Sequence, residues 1–227
     1  MDISKIRIAI DGPSGAGKST IAKNLAHKYG LIYVDTGALY RAIGLYMADR
    51  DIDAYDTGKI ISELPSVSLA LSYEDGAQVV SLNGENVCGR IRTEKASYYA
   101  SAVSKIPEVR AFLLKTQRDI AANGGVIMDG RDIGTVIMPD AELKIFLTAS
   151  PEERARRRYL EQLEKGESVS YNAILENIIA RDKQDSERET APLKPADDAD
   201  LFVTDGNELE DTVSQLSAFV EEKVQNI

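Results

Sequence analysis

The stretch "IAIDGPSGAGKST", residues 8–20, decides the fold because it joins a short apolar run to a glycine-rich loop that ends in lysine, serine and threonine. Gly12, Gly17, Lys18 and Ser19 match G-x-x-x-x-G-K-[ST], a loop whose backbone N–H groups surround a polyphosphate. A helix predicted to begin near Gly17 adds the partial positive charge of its N-terminus. The sequence therefore predicts a nucleoside triphosphate site formed by Gly12, Pro13, Ser14, Gly15, Ala16, Gly17, Lys18, Ser19 and Thr20.

The composition of the chain narrows the class of protein. It has 227 residues, enough for one large α/β domain or a domain with an insert, and a net charge of −10, which argues against a nucleic-acid polymer as partner. No apolar run approaches the roughly 18 residues of a membrane span, and the first residues lack the apolar segment of a signal peptide. Cys88 is the single cysteine. We therefore expect a cytoplasmic protein without a membrane span or an intrachain disulfide.

Short apolar runs alternate with helical patterns along the chain. Buried strands are predicted at 6–10, 31–34, 126–128, 143–147 and 201–204. Helices are predicted between them, at 17–28, 37–49, 107–122, 151–165, 171–188 and 208–224. This alternation predicts a parallel sheet with helices on both faces, and ligands bind such sheets at the carboxyl ends of their strands.

Residues 63–90 have a different pattern, with three short β-rich runs. Asn83-Gly84 between the last two runs predicts a tight hairpin turn. We expect a small antiparallel insert followed by a helix near 92–105. The predicted organisation is a core of residues 1–62 and 106–227 with an insert at 63–105.

Two motifs follow predicted strands and carry polar groups. In "VDTGALYRA", residues 34–42, we expect Thr36 to cap the next helix, with Tyr40 and Arg41 one turn into it. In "VIMDGRDIGT", residues 126–135, Asp129 has the place of a carboxylate that supports Mg²⁺. The alternatives are an ordinary capped amphipathic helix for the first motif and a charged turn for the second.

Arginines concentrate in the last third of the chain. Arg154, Arg157 and Arg158 lie at i, i+3 and i+4 in "PEERARRRYLEQLEKGE", which predicts a mobile lid at about 152–168 that neutralises phosphate charge and excludes water. A solvated helix with Glu–Arg pairs is the alternative. In "RDKQDSER", residues 181–188, an arginine, an aspartate and a second arginine at i, i+4 and i+7 share one helix face, as a binding cluster or as a salt-bridged surface triad.

Taken together, these motifs resemble those of the bacterial cytidylate kinases, within the nucleoside monophosphate kinase group of P-loop proteins. The resemblance covers nearly the whole chain and rests on "IDGPSGAGKST", "DTGALYRA", "DGRDIGTVIMPDAELKIFLTAS" and "RDKQDSERETAPL". It implies an α/β, P-loop NTPase-type fold in which helices flank a five-stranded parallel sheet, with a small antiparallel β insert and a short helical lid. The implied reaction is transfer of the ATP γ-phosphoryl group to CMP or dCMP with Mg²⁺, in a monomer.

The resemblance also implies roles for single residues. The phosphate of the monophosphate would be bound by Arg41, Arg131 and Arg188. Cytosine would be read by Ser101, Arg110 and Asp132, and the sugar and transferring group would be approached by Arg181 and Asp185. Further contacts would come from Thr36 and Tyr40. The groups that act on the transferring phosphoryl would be Lys18, Arg131, Arg157, Arg158, Arg181 and Arg188.

Two alternatives and one local ambiguity stay open. A GTP-binding switch would need an N-K-x-D motif, which the sequence lacks, and a D-x-x-G motif that "DGRD" does not match. A P-loop kinase for another small acceptor remains possible on the motifs alone. Ser19 stands where some family members have glycine, so either Ser19 or Thr20 could bind Mg²⁺ together with Asp129.

Overall fold

The strands of the computed structural model, which describes residues 2–74 and 76–226, form two sheets. The strands are β1 (Arg7–Asp11), β2 (Ile32–Asp35), β3 (Leu69–Glu74), β4 (Ala77–Leu82), β5 (Glu85–Asn86), β6 (Val126–Gly130), β7 (Leu143–Thr148) and β8 (Asp200–Val203). The larger sheet has the order β2-β6-β1-β7-β8, with parallel pairing of β1 to β6 and β7 and of β7 to β8. The predicted five-stranded parallel sheet is confirmed.

Helices separate the strands of the larger sheet. They are α1 (Lys18–Tyr29), α2 (Thr36–Ala48), α3 (Thr57–Glu63), α4 (Glu94–Val103), α5 (Pro107–Ala121), α6 (Pro151–Glu164), α7 (Tyr171–Glu187) and α8 (Leu209–Asn226). Their bounds lie close to the predicted ones, although the short α3 was not predicted. None of the helices in the described part of the chain has the length and apolar composition that a bilayer crossing requires.

Local sequence explains the central strand and the helix ends near the P-loop. Ile8, Ala9 and Ile10 of β1 are all fully buried, as expected for a parallel strand covered on both faces. Helix α1 begins directly after Gly17 and is capped at its C-terminus by Gly30, which takes a left-handed conformation with φ of 67°. Ser150 caps α6 by accepting the N–H of Glu153, so this helix starts at a defined residue.

The chain forms two compact units, Met1–Ile32 with Gly124–Ile227, and Tyr33–Asn123. In the second unit, β3, β4 and β5 form an antiparallel sheet, which confirms the antiparallel β structure predicted within residues 63–90. Asn83 and Gly84 have φ of 50° and 84°, as the predicted hairpin turn requires. Helices α2 and α4 also pack closely in this unit. Gly44 of α2 is so near to α4 that a Cβ on Gly44 would lie 2.8 Å from Cβ of Tyr99.

Candidate active site

The glycine-rich loop follows β1 and has the backbone that its sequence predicts. Gly12 has φ of 149°, and a Cβ there would lie 1.9 Å from the carbonyl oxygen of Leu147 on the neighbouring strand β7. Gly17 has φ of 88° and immediately precedes α1. Larger residues at these positions would be strained or would clash, so the loop depends on glycine.

Lys18 is buried beside the loop. Its Nζ donates to the carbonyl oxygen of Pro13 at 2.7 Å, which folds the side chain back over the loop. Burial is the main cause that lowers the pKa of Lys18 from its usual range, and the charge of Arg131 acts in the same direction, while Asp129, Asp11 and Asp185 oppose it. Because burial disfavours the charged ammonium, an anionic ligand beside Lys18 would stabilise its charged form.

Ser19 and Asp129 meet where α1 begins and β6 ends. The Ser19 Oγ donates to Oδ2 of Asp129 at 2.7 Å. A hydroxyl and a carboxylate are oxygen donors of the kind that a hard cation such as Mg²⁺ prefers, so these two residues fit such an ion. The structure brings together two residues that are 110 positions apart in the sequence.

Asp11, at the last position of β1, is a residue of this region that the sequence analysis missed. Its carboxylate accepts the N–H groups of Ile133 and Gly134, each at 2.7 Å, and so holds the π-helical turn Ile133–Ile137. Burial raises the pKa of Asp11 to about 6, although the two hydrogen bonds act in the opposite direction. An aspartate that ends a buried apolar strand was the signal that could have revealed it.

Arginine and aspartate side chains form a cluster that joins the segment after β6 to the end of α7. The Nε of Arg131 donates to Oδ2 of Asp185 at 2.9 Å. The Arg188 guanidinium lies 3.9 Å from the carboxylates of both Asp132 and Asp185. The side chains of Arg188 and Asp185 are only 6% and 7% exposed, so the surface-triad alternative is wrong for these two residues. Arg181 lies one turn earlier on α7 and is half-buried.

Arg154 differs from the expectation that the arginines of α6 would act together as a phosphate-binding lid. Its Nε donates to the carbonyl oxygen of Ala149 at 2.8 Å, and its Nη1 donates to Ser14 of the P-loop at 3.1 Å and to Asp182 of α7 at 3.0 Å. The side chain is buried and its donors are used inside the protein. Arg154 therefore ties α6 to the loop and to α7, a role that i, i+3 spacing could not reveal.

Arg157 and Arg158, the other two arginines of the predicted lid set, are half-buried. Arg157 donates from Nε to Glu153 at 3.0 Å and from Nη1 to Oγ1 of Thr204 at 3.1 Å. Arg158 lies one position further along the helix. Compared with Arg154, these side chains are nearer to solvent.

In the second unit, Asp35 and not Thr36 caps α2, which corrects the predicted cap. The Asp35 backbone is extended, with φ of −83° and ψ of 98°, and its Oδ1 accepts the N–H of Ala38 at 3.0 Å. Thr36 is already the first helical residue and is buried. The second oxygen of Asp35 accepts from Nη2 of Arg41 at 2.6 Å. Helix α2 begins at Thr36, one residue earlier than the predicted start at 37, so its cap is also one residue earlier.

Arg110 and Tyr40 are also brought together in the second unit. Arg110 is buried in the first turn of α5, where its charge opposes the helix dipole, and its Nη1 donates to the carbonyl oxygen of Ser104 at 3.2 Å. Its guanidinium lies 5.6 Å from the centre of the Tyr40 ring. Ser101 lies on α4 and its carbonyl oxygen accepts from the Ser104 hydroxyl at 3.0 Å.

Comparison with known proteins identifies the relatives of this chain. The family model for cytidylate kinase matches residues 8–222. The chain is 55% identical over 197 residues to a cytidylate kinase of Caldicellulosiruptor saccharolyticus, covering 87% of each chain. It is 49% identical over 224 residues to a cytidylate kinase of Caldicellulosiruptor bescii, covering 99% of each.

Among solved structures, a protein from Eubacterium ventriosum shares the fold, with a TM-score of 0.52 at 12% identity over 96% of this chain and 99% of the other. The family match spans both compact units, and the P-loop and the arginine–aspartate cluster lie inside it. The chain therefore belongs to the cytidylate kinase family and is an enzyme of the nucleoside monophosphate kinase type.

Proposed function

We propose that this chain transfers the γ-phosphoryl group of ATP to CMP or dCMP, giving ADP and CDP or dCDP, as a monomer in the cytoplasm. The observation that carries the proposal is the buried P-loop lysine, Lys18, in the same compact unit as the hydrogen-bonded pair of Arg131 and Asp185. A phosphate-binding loop and an arginine–aspartate cluster thus share one compact unit.

The chemistry needs positioning and charge neutralisation more than covalent help. The attacking group is a phosphate oxygen that is already ionised at neutral pH, so no general base is required. Lys18 would bind the β- and γ-phosphates. Arg41, Arg131 and Arg188 would bind the phosphate of the acceptor, with Arg181 near the transferring group. Fixed positive charges that stabilise the charge spread over the transferring oxygens lower the barrier directly.

The residues that would hold Mg²⁺ are Ser19 and Asp129. Their hydrogen bond shows that a hydroxyl and a carboxylate already converge at the start of α1. When bound, the ion would neutralise part of the negative charge of the ATP phosphates. Thr20, the next residue, is our second choice for the hydroxyl ligand.

Recognition of the acceptor would divide between base and sugar. Asp132 would accept from the N4 amino group of cytosine, and Arg110 would donate to N3 and O2, with Ser101 as a further contact. Asp185 would approach the sugar. Uracil offers an acceptor where cytosine has its N4 donor, so UMP would place its O4 oxygen against the buried carboxylate of Asp132. Thr36, Tyr40 and Arg41 would complete the binding of the monophosphate.

We expect about residues 152–168 to form the lid. Arg157 and Arg158, which are nearer to solvent than Arg154, would turn to the phosphates when both substrates are bound. Closure of this segment would exclude water from the phosphoryl group.

A panel of acceptors in an ADP-release assay tests the function. CMP, dCMP, UMP, AMP and shikimate should be compared at fixed ATP and Mg²⁺, with Lys18→Ala as the matched control that keeps the fold and loses the loop cation. We expect CMP and dCMP to have by far the highest kcat/KM. A higher value for shikimate or AMP would overturn the assignment and favour a P-loop kinase for another acceptor.

A further inference from the structure

Gln78 of β4 forms a reciprocal pair with the backbone of Asp35 at the end of β2. Its Oε1 accepts the Asp35 N–H at 2.7 Å, and its Nε2 donates to the Asp35 carbonyl oxygen at 3.2 Å. Because β2 stands at one edge of the five-stranded order, its outer backbone groups have no strand beside them. The side-chain amide therefore pairs with Asp35 as the backbone of a further strand would.

Asp35 also contacts Arg41, so the position of the Asp35 backbone affects the position of the Arg41 side chain. One carboxylate oxygen accepts the N–H of Ala38 and caps α2, and the other accepts from Nη2 of Arg41 at 2.6 Å. The two charged side chains are 25% and 23% exposed, so the pair is partly desolvated. With its backbone held by Gln78 and its side chain held by α2, Asp35 determines where the guanidinium lies.

Gly37, in the first turn of α2, lies close to this ion pair. A Cβ on Gly37 would lie 3.0 Å from Nη1 of Arg41 and 3.1 Å from Oδ1 of Asp35, closer than ordinary van der Waals contact. Within the described residues, the buried Nε of Arg41 has no hydrogen-bond acceptor. A donor of the guanidinium thus remains for an anionic ligand.

We propose that Gln78 is a positioning residue for the monophosphate substrate, acting through Asp35 to orient Arg41. The inference rests on the proposed function, in which Arg41 binds the phosphate of CMP. Loss of the reciprocal pair would let the end of β2 and the Asp35 carboxylate shift. The affinity for CMP would then fall, while ATP binding would be unaffected.

The substitution Gln78→Met tests this role because it keeps the length of the side chain and removes both hydrogen bonds. We expect KM for CMP to rise about tenfold, within the range of coupling between residues of one network, with KM for ATP unchanged. The matched control is Val80→Ala, a buried residue of the same strand. It should lower Tm by more than Gln78→Met does and leave KM for CMP unchanged. A Gln78→Met protein with lowered Tm and wild-type KM for CMP would overturn the proposal.

A double-mutant cycle separates an effect through Arg41 from an independent one. In an Arg41→Met background, Gln78→Met should raise KM for CMP no further. Additive effects would contradict the proposal. An unchanged KM for CMP in Arg41→Met alone would overturn both this inference and the phosphate-binding role of Arg41. A raised KM in Arg41→Met beside a wild-type KM in Gln78→Met would overturn only this inference.

Gly37→Ala gives a second, independent variant. The added methyl group must displace Arg41 or Asp35 by a few tenths of an ångström, while alanine favours the helix. We expect KM for CMP to rise severalfold with Tm unchanged or higher. An unchanged KM for CMP would show that the Asp35–Arg41 geometry does not control binding.

Discussion

The hydroxyl of Ser19 donates to the carboxylate of Asp129 at 2.7 Å, which joins the first turn of α1 to the end of β6. This contact determines which of two adjacent hydroxyls we assign to Mg²⁺. Thr20 carries the other hydroxyl, and it lies one position further along α1. Successive residues on a helix point about 100° apart, so the two hydroxyls cannot occupy the same position beside Asp129.

Ser19→Ala should therefore raise the Mg²⁺ concentration needed for half-maximal activity by about tenfold, the lower end of what loss of a metal-site partner costs. Thr20→Val is the matched control and should leave that concentration within about twofold of wild type. The measurement is initial rate against free Mg²⁺ at saturating ATP and CMP. The opposite ranking of the two variants would assign the ion to Thr20.

Lys18→Ala should reduce kcat by about 10²-fold or more, the size seen for loss of one electrostatic stabiliser of a transition state. The buried ammonium donates to the Pro13 carbonyl oxygen of its own loop, so we expect the fold to survive its removal. Steady-state kinetics and a thermal melt check the two parts. Turnover at the wild-type rate would contradict the P-loop assignment.

Asp132→Asn should narrow the preference for CMP over UMP. The buried carboxylate can accept from the N4 amino group of cytosine, whereas an amide can turn its NH₂ group toward O4 of uracil. We expect the ratio of kcat/KM for CMP to that for UMP to fall, with little loss for UMP. Equal losses for both substrates would show that Asp132 supports Arg188, 3.9 Å away, instead of reading the base.

Stability should depend on pH through Asp11. Burial raises its pKa from 3.8 to about 6, so between these values the folded protein binds more protons than the unfolded chain. The contribution of Asp11 to the free energy of unfolding therefore falls as pH rises from about 4 to about 6. At ~1.4 kcal/mol per pKa unit, the change is up to about 3 kcal/mol.

Asp11→Asn removes the titrating carboxylate. The pH dependence of the difference in unfolding free energy between variant and wild type therefore reports the titration of Asp11. The free energy of unfolding of the variant, relative to that of the wild type, should increase as pH rises from 4 to 7. Any stability lost because the amide replaces the carboxylate that accepts the N–H groups of Ile133 and Gly134 is independent of pH and does not change this trend. Urea unfolding at a series of pH values measures the difference. A difference that does not vary with pH would mean that Asp11 stays ionised in the folded state throughout this range.

Changing Arg157 and Arg158 together to alanine should depress kcat far more than it weakens CMP binding in the absence of ATP. The reason is that lid contacts form only when both substrates are present. Titration calorimetry with CMP alone, beside turnover with both substrates, separates the two effects. Unchanged kinetics would favour the solvated helix. An equal loss of binary CMP affinity would make these arginines static binding residues.

The sequence alone determined the features of this protein that depend on local pattern. Apolar runs and helical periodicity predicted the parallel sheet and its helices, because buried strands and amphipathic helices each require their own spacing of apolar residues. The glycines of residues 12–17 predicted the P-loop, because few other residues tolerate its backbone, and Asn83-Gly84 predicted the hairpin for the same reason.

Only the tertiary structure decided which polar side chains meet. Arg154 shares a helix face with the lid arginines, yet it is buried against Ser14 and Asp182, contacts far away in the sequence. Gln78 and Asp35 pair across 43 positions, and Asp11 holds amides more than 120 positions away. A hydrogen bond depends on distances of a few tenths of an ångström between groups that folding brings together. Residue type and local spacing do not determine the distance between groups that are far apart in the sequence, so only the folded structure shows these contacts.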